Sequence, residues 1–419
     1  MTSKIKQRIE QIRYGNVPDG YKKTKAGILP GDWDVYMLGD CLSRVERPVE
    51  VKPNELYTQI GIRSHGKGLF YKEPVTGAAL GNKAVFWIEP DCFIVNIVFA
   101  WEQAIGKTTQ SEVGMIGSHR FPMYRPVNDR VDVDYLISYF LTKRGTDILE
   151  AASPGGAGRN KTLGQDRFLK SKIVLPPIED QQKIAAILTT QDRVIELKEK
   201  RLAEKQQQKK YLMQQLLTGK KRLPGFNGEW KKTKLKNILH ERKTYSPKGL
   251  DYPHVTLSTE GIFPKSERYD RDHLVKDEDK EYKITHKGDI CYNPANLKFG
   301  AICENTFGDA IFSPIYVTFE VRKNVCRECL ANYLMRWDFI NAVRKYEEGT
   351  VYERMAVKPE DFLKFEIFLP QIEEQTAIAE VLSAADREIE LLRQDIEQEK
   401  QKKKALMQLL LKGIVRVKI

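Results

Sequence analysis

The 419 residues are more than one ordinary hydrophobic core accommodates, so two or three domains are expected. With 41% hydrophobic and 30% charged residues, the composition excludes disordered and collagen-like chains. Lys and Arg number 69 against 57 acids, for a net charge of +12 and a pI near 9.1, an excess that favours a polyanion such as nucleic acid or an anionic membrane surface.

Met1 to Ile12 lacks the apolar core of a signal peptide. The longest apolar stretch, around Phe93 to Trp101, is broken by Asn96 and is too short to span a bilayer, so a cytoplasmic location is expected. Further along, the chain repeats itself. Leu175-Pro176-Pro177-Ile178-Glu179-Asp180-Gln181 recurs as Leu369-Pro370-Gln371-Ile372-Glu373-Glu374-Gln375, an offset of 194. Between Leu175–Leu223 and Leu369–Val417, 23 of 49 positions are identical without a gap. The same offset pairs Thr24 with Thr218, Gly106 with Gly300, Gly114 with Gly308, Leu136 with Leu330, Tyr139 with Tyr333, Gly155 with Gly349 and Phe168 with Phe362. Trp33-x4-Leu38 matches Trp230-x4-Leu235 at an offset of 197, which implies a short indel. The order is therefore globular unit, helix, globular unit, helix, with similar helices and diverged globular units.

Glu179 to Leu217 contains neither Pro nor Gly, carries acids at its start and is followed by Gly219, which predicts a continuous helix of ~58 Å at ~1.5 Å per residue. Its copy has the seam Leu382, Ala385, Ile389, Leu392, Ile396, Glu399, Lys403, Leu406 and Leu410, a heptad pattern with a polar middle. The two helices are expected to pair, and either direction is compatible with the pattern. Their Lys- and Gln-rich outer faces suit either plain solvation or docking of a partner helix and DNA phosphates.

Strings that resemble catalytic motifs fail on spacing. Gly106-Lys107-Thr108 lacks the earlier P-loop glycine, where Trp101 stands. Pro154 to Gly158 lacks dinucleotide-turn spacing. Asn293-Pro294-Ala295-Asn296 lacks the second proline and the aromatic of an adenine methyltransferase motif. Cys326-x-x-Cys329 with Cys291 and Cys303 does not have the spacing of a zinc ribbon, and the six cysteines are expected to be reduced and mostly buried. No catalytic site and no metal site are expected.

The duplicated Leu-Pro-x-Ile-Glu-x-Gln helices, their Leu-Met-Gln-x-Leu-Leu-x-Gly ends and the entry Ile28-Leu29-Pro30-Gly31-Asp32-Trp33 resemble type I restriction–modification specificity subunits. Lys287-Gly288-Asp289-Ile290 and Gly308 to Tyr316 look like elements of that family's second recognition domain. The resemblance implies an α+β chain: two α/β target recognition domains separated by two long helices in an antiparallel coiled coil, with an internal pseudo-twofold. It divides the chain into an N-terminal segment 1–28 packing on the C-terminal helix end, a recognition domain 29–174, a helical region 175–222, a second recognition domain 223–368 and a second helical region 369–419.

Each domain would read half of a split, asymmetric DNA target, with the coiled coil setting the gap. Two methyltransferase subunits would dock on the helices, with Gln181, Ile184, Gln375 and Ile378 the expected contacts. Two restriction/translocase subunits would complete the assembly. S-adenosylmethionine, ATP and magnesium would belong to those partners, leaving this chain without a cofactor. The alternatives are a related system with one fused methyltransferase–nuclease partner, and a coiled-coil DNA-binding scaffold or regulator without a methyltransferase.

Base readout needs donors and acceptors on loops, and phosphate contact needs Lys, Arg, Ser or Thr. In the first domain that chemistry selects Arg63, Ser64, His65 and Lys67; Lys107, Thr108 and Thr109; and Arg159, Asn160 and Lys161. In the second it selects Ser258 and Thr259, Asn296 and Lys298, and Tyr352 and Arg354.

Overall fold

The computed structural model describes residues 3–25, 27–155, 161–247, 251–265, 281–347 and 356–417. The two duplicated segments form helices of 39 residues each, Ile178–Leu216 and Ile372–Leu410. Prolines precede both, and Glu179-Asp180 and Glu373-Glu374 meet the positive end of each helix dipole. Both end on a left-handed glycine, Gly219 at φ +69° and Gly413 at φ +67°. After each, a backbone N–H reaches back six residues, Lys221 to Gln215 and Val415 to Leu409, which satisfies helix-end carbonyls. Among the described residues no helix is long and apolar enough to cross a membrane.

The chain divides into two compact units, residues 1–199 with 395–419 and residues 200–394, so the boundary falls inside both long helices. In the first unit Gln191 and Lys198 bond Glu399 while Asp192 bonds Lys403, and in the second Lys205 bonds Glu388 while Lys209 bonds Asp386. Numbers rising on one helix meet numbers falling on the other. The helices are antiparallel in each unit.

The first unit is built on a four-stranded antiparallel sheet in the order Ile105–Lys107, Phe93–Val95, Met123–Pro126, Leu42–Val45. A separate pair, Asp34–Met37 with Lys172–Leu175, leads directly into the first long helix. Helices Val133–Phe140, Lys143–Ala152 and Gln165–Lys170 cover the sheet, and Phe93, Tyr124, Phe140 and Phe168 cluster beneath them. Ile184 and Leu188 of the first long helix and Leu410 and Leu411 at the end of the second complete this core. Each such side chain, fully buried, contributes about 1.5–3 kcal/mol of transfer free energy. The N-terminal helix Ser3–Arg13 lies against the segment that follows the second long helix: Arg8 donates to the Ile414 carbonyl (3.1 Å) and the Tyr21 hydroxyl to that of Gly413 (2.7 Å).

The second unit repeats the sheet order with Ile302–Glu304, Ile290–Tyr292, Val317–Val321 and Leu239–Glu241. Lys231–Lys234 pairs with Glu366–Leu369 and leads into the second long helix. Superimposing the ladders corrects the expected alignment. Phe93 opposite Tyr124 corresponds to Ile290 opposite Phe319, so the offset is 197 on the first of these strands and 195 on the second. It becomes 194 only from the helices Val133–Phe140 and Arg327–Leu334 onward. Gly300 (φ +87°) is therefore the counterpart of Gln103 (φ +59°), each closing the turn before a strand, and is not paired with Gly106. Thr24 likewise does not match Thr218: the first sits in a strand and the second just past a helix. The Gly155–Gly349 pairing lies outside the described residues.

Candidate nucleic-acid interface and helix faces

In the first domain the strands Ile60–Ile62 and Leu69–Tyr71 make a hairpin whose tip carries Arg63, Ser64, His65 and Lys67. His65 and Gly66 have positive φ and their N–H groups donate to the carbonyls of Glu102 and Gln103, while Ser64 Oγ donates to Glu102 (3.0 Å). Gly66 has φ +63°, which favours glycine, and a Cβ there would also press on the Leu141 side-chain end at 2.4 Å. The tip is thus fixed against the turn Ala100–Glu102, and Lys161 Nζ sits 5.3 Å over the Trp101 ring of that turn. Arg63, His65 and Lys67 are exposed, and Arg63 lies over the Phe70 ring. These residues form one polar patch.

Lys107 is half-buried and pairs with Asp134 (2.7 Å); burial opposes its charge, but the Asp134 hydrogen bond and charge prevail and raise its pKa. Thr108 is a correction. Its side chain is fully buried, donating to the Glu89 carbonyl and accepting from Cys92 N–H, so it cannot reach DNA. Thr109 is exposed and caps the turn Gln110–Glu112. Arg159 and Asn160 lie outside the described residues.

In the second domain the matching hairpin, Val255–Ser258 with Gly261–Pro264, has a two-residue turn. Ser258 Oγ accepts from the Glu260 N–H and Thr259 is exposed at the tip. Asn296 is exposed at the start of the turn Leu297–Phe299, and Lys298 lies 5.3 Å over the Phe299 ring. By ladder register this turn corresponds to Ala100–Glu102; Lys107 corresponds to Glu304, so Asn296–Lys298 is not the counterpart of Lys107–Thr109. Exposed Phe299 and Trp337 give this face an aromatic character. Tyr352 and Arg354 lie outside the described residues.

The sheet also gathers a basic concavity that the linear sequence did not reveal. A cavity of about 390 Å³ in the first domain is lined by Gln59, Lys72, Lys83, Asn96, Ser118, His119 and Arg120, among others. The side chains of Lys72, Lys83 and Arg120 are exposed and have no ion pair with the described residues, so their charge is available to phosphates.

The expected docking residues on the helices are overturned by burial. Gln181 and Gln375 are 0% and 3% exposed, Ile184 and Ile378 2% and 1%. Gln181 accepts from Asp132 N–H (3.0 Å) and donates to the carbonyls of Arg130 (2.8 Å) and Pro176 (2.9 Å). Gln375 repeats this with Cys326 N–H and the Pro370 carbonyl. Both glutamines clamp the start of a domain helix onto a long helix, and the isoleucines enter the cores. Leu197 (49%) and its repeat mate Leu391 (65%) are both exposed, as are Ile187, Tyr211 and Ile372 on the same helices. The shared Ile-Glu-Leu triplets around the two leucines were the available signal.

The other motif-like strings have structural roles. Gly106 is buried in a strand, and Asn293 Oδ1 accepts from the N–H groups of Ala295 and Asn296 to form a turn. Cys291 and Cys303 face each other across two strands, whereas Cys326 and Cys329 pack with Leu216 and Ile378 in a different cluster. Burial pushes the Cys303 thiol up to about 12.

Residues 82–206 and 227–401 match the family model described as type I restriction modification DNA specificity domain. Over 96% of its length the chain is 24% identical to the putative type I restriction enzyme MjaX specificity subunit of Methanocaldococcus jannaschii, and 23% to the MjaVIII specificity subunit of the same organism; each alignment covers 97% of the relative. Among solved structures it resembles the HsdS subunit from Thermoanaerobacter tengcongensis (18% identity, TM-score 0.51, 92% of this chain and 98% of that one). It also resembles a chain from a structure of a type I R-M system (18%, TM-score 0.58, 92% and 99%) and the S subunit from M. genitalium (10%, TM-score 0.54, 90% and 96%).

Proposed function

This chain belongs to the type I restriction modification DNA specificity family, and from that premise we propose that each of its two domains reads one half of a split, asymmetric DNA target. The observation that carries this reading is the repetition of one sheet order under different tips: a basic, six-residue loop in the first domain and a tight turn beside exposed aromatics in the second. One frame with two chemically different faces suits two different half-sites. The basic concavity and the Arg63–Lys67 tip would meet phosphates and base edges in the first half-site. Asn296, Lys298 and the aromatic face would serve the second.

The long helices would hold the two readers at a fixed number of unread base pairs. They would also dock two methyltransferase subunits through Leu197 and Leu391. Methylation of adenine and ATP-dependent cleavage would then be supplied by the methyltransferase and restriction subunits, which would carry S-adenosylmethionine, ATP and magnesium. This chain would contribute sequence choice and no catalytic group, in the cytoplasm.

The test is co-expression with the neighbouring methyltransferase and genome-wide mapping of methylated adenines by single-molecule sequencing. A split motif is expected, with only one half altered when one domain is exchanged. Tight DNA binding with no methylation that depends on this chain would reject the reading in favour of a DNA-binding scaffold.

A further inference from the structure

Most ion pairs between the two long helices set a base of the first against an acid of the second, with Glu199–Lys400 and Asp192–Lys403 reversed. The first helix contributes Lys198, Arg201 and Lys205, and the second contributes Glu388, Asp395 and Glu399. Lys198 Nζ lies 2.8 Å from Asp395 and 2.9 Å from Glu399, in the first unit. In the second unit Glu388 receives Lys205 at 2.9 Å and Arg201 at 3.7 Å. Lys198 and Glu399 are largely covered, at 25% and 16% side-chain exposure, so salt screens this layer less than a fully exposed pair.

Because the helices are copies offset by 194, the same contacts can be written for a helix facing its own duplicate in a second chain. For the first helix against itself, Asp395 and Glu399 are replaced by Arg201 and Lys205, so Lys198 meets two cations. For the second helix against itself, Arg201 and Lys205 are replaced by Asp395 and Glu399, so Glu388 meets two anions. The Glu199–Lys400 pair (2.7 Å) becomes Arg393 against Lys400. Only the pairs Lys403–Asp192 and Lys209–Asp386 survive in either arrangement. The shared apolar seam would accept both arrangements, since Leu188, Ile195, Leu202, Leu212 and Leu216 have apolar repeat mates in Leu382, Ile389, Ile396, Leu406 and Leu410.

We propose that this charge layer is a partner discriminator: it makes each long helix select the unlike copy and reject its own duplicate in a second chain. The apolar seam provides the affinity, and six charges determine the pairing. This rests on the duplication and the ion pairs, not on the DNA-reading assignment, and its test involves no DNA.

Two substitutions invert the rule. Lys198→Glu places an acid against Asp395 and Glu399 within the chain, but against Arg201 and Lys205 of a second copy. Glu388→Lys does the reverse on the other helix. The full-length double variant K198E/E388K, measured by light scattering at low ionic strength, should have twice the 48.3 kDa mass of the chain, and the dimer should weaken as salt is added.

A cross-link identifies the geometry. Paired residue numbers on the two helices sum to 589–599, or 395–405 once the offset of 194 is removed, so Lys200 would lie close to its own duplicate. With Lys200→Cys added, a bismaleimide should join two chains of the double variant and not two wild-type chains. The sixfold exchange K198E/R201E/K205E/E388K/D395K/E399K restores every unlike pair and should return a monomer with the wild-type melting temperature. A double variant that shows no cross-link between positions 200, whether monomeric or aggregated, overturns the proposal. So does a sixfold variant that fails to fold.

Discussion

Replacing Gln181 by alanine separates two roles that the sequence left entangled. Its amide fills a fully buried site with three partners: the N–H of Asp132 and the carbonyls of Arg130 and Pro176. The Pro176 carbonyl is buried and, once abandoned, bears a desolvation penalty of about 1–3 kcal/mol, while each of the two part-buried partners loses about 1 kcal/mol of net bond. Together these give an expected loss of about 3–5 kcal/mol before any contribution from the small cavity left by the amide, a large fraction of the about 5–15 kcal/mol that holds a typical domain. Gln181→Glu keeps the acceptor for Asp132 but turns an oxygen toward two carbonyls, and should do no better than alanine at neutral pH.

Two units make a single global unfolding free energy ill defined, so the assay is hydrogen exchange of the amides of Val133–Phe140 and of the first turns of the long helix. Protection should collapse there and persist in residues 200–394. Unchanged protection, within about 1 kcal/mol, would refute the clamp. If methyltransferase association were lost while protection stayed intact, Gln181 would be a docking residue after all.

Three further outcomes are expected. Gly413→Ala forces a Cβ to within 2.5 Å of Pro30 Cγ at φ +67°, whereas Gly225→Ala at φ +88° meets nothing within 4 Å. Hydrogen exchange of the amides around each glycine should therefore show about 1 kcal/mol of protection lost at Gly225 and about 3 kcal/mol at Gly413, and equal losses would contradict the close approach. Leu197→Glu and Leu391→Glu lie on exposed helix surface and should change stability by less than about 0.5 kcal/mol. The same variants should lose co-purification with the methyltransferase, and retention by both would remove these leucines from the docking surface. The Gln191 hydrogen bond, and then the Lys198 ammonium, hold Glu399 down to about 2 against an ordinary 4.5. A depressed carboxylate stabilises the fold above its ordinary pKa and loses that contribution as pH falls from about 4.5 toward about 2. Helicity at 222 nm should decline across that window, and Glu399→Gln should flatten the decline.

The long helices were legible because the shared residues are those that create helix boundaries and cores: the prolines, first-turn acids, terminal glycines and seam leucines. Their direction was not, since a heptad seam packs either way; it is the unlike charges of Lys198 and Glu399 that mark it. The domain register was misread because three residues drop out in the second copy between Lys107 and Val133, where no motif is shared. Asn96 and Ala104 against Asn293 and Ala301 already carried the correct offset of 197 in the sequence. The basic concavity could not be read, because Gln59, Lys83 and Arg120 come from strands and turns that only the folded sheet brings together. Thr108 misled for the opposite reason: a hydroxyl beside Lys107 looks solvent-facing until the strand pairing turns it inward.

The frame also explains how the two domains diverge without loosening. Arg222, past the end of the first long helix, pairs with Glu374 (2.5 Å) in the second unit, and Arg416, past the end of the second long helix, pairs with Asp180 (3.1 Å) in the first. Gly219 packs on Trp230, and Gly413 on Trp33. Each unit is thus closed by the end of the other copy's helix, once through continuous chain and once through the C-terminal segment. The clamp that seats each domain grips backbone: Gln181 takes the N–H of Asp132 and Gln375 the N–H of Cys326, two residues with unlike side chains. A backbone N–H is the same whatever side chain follows it. A domain can therefore change nearly every loop residue that faces DNA while the glutamine, the arginine and the glycine–tryptophan contact hold it in the same place.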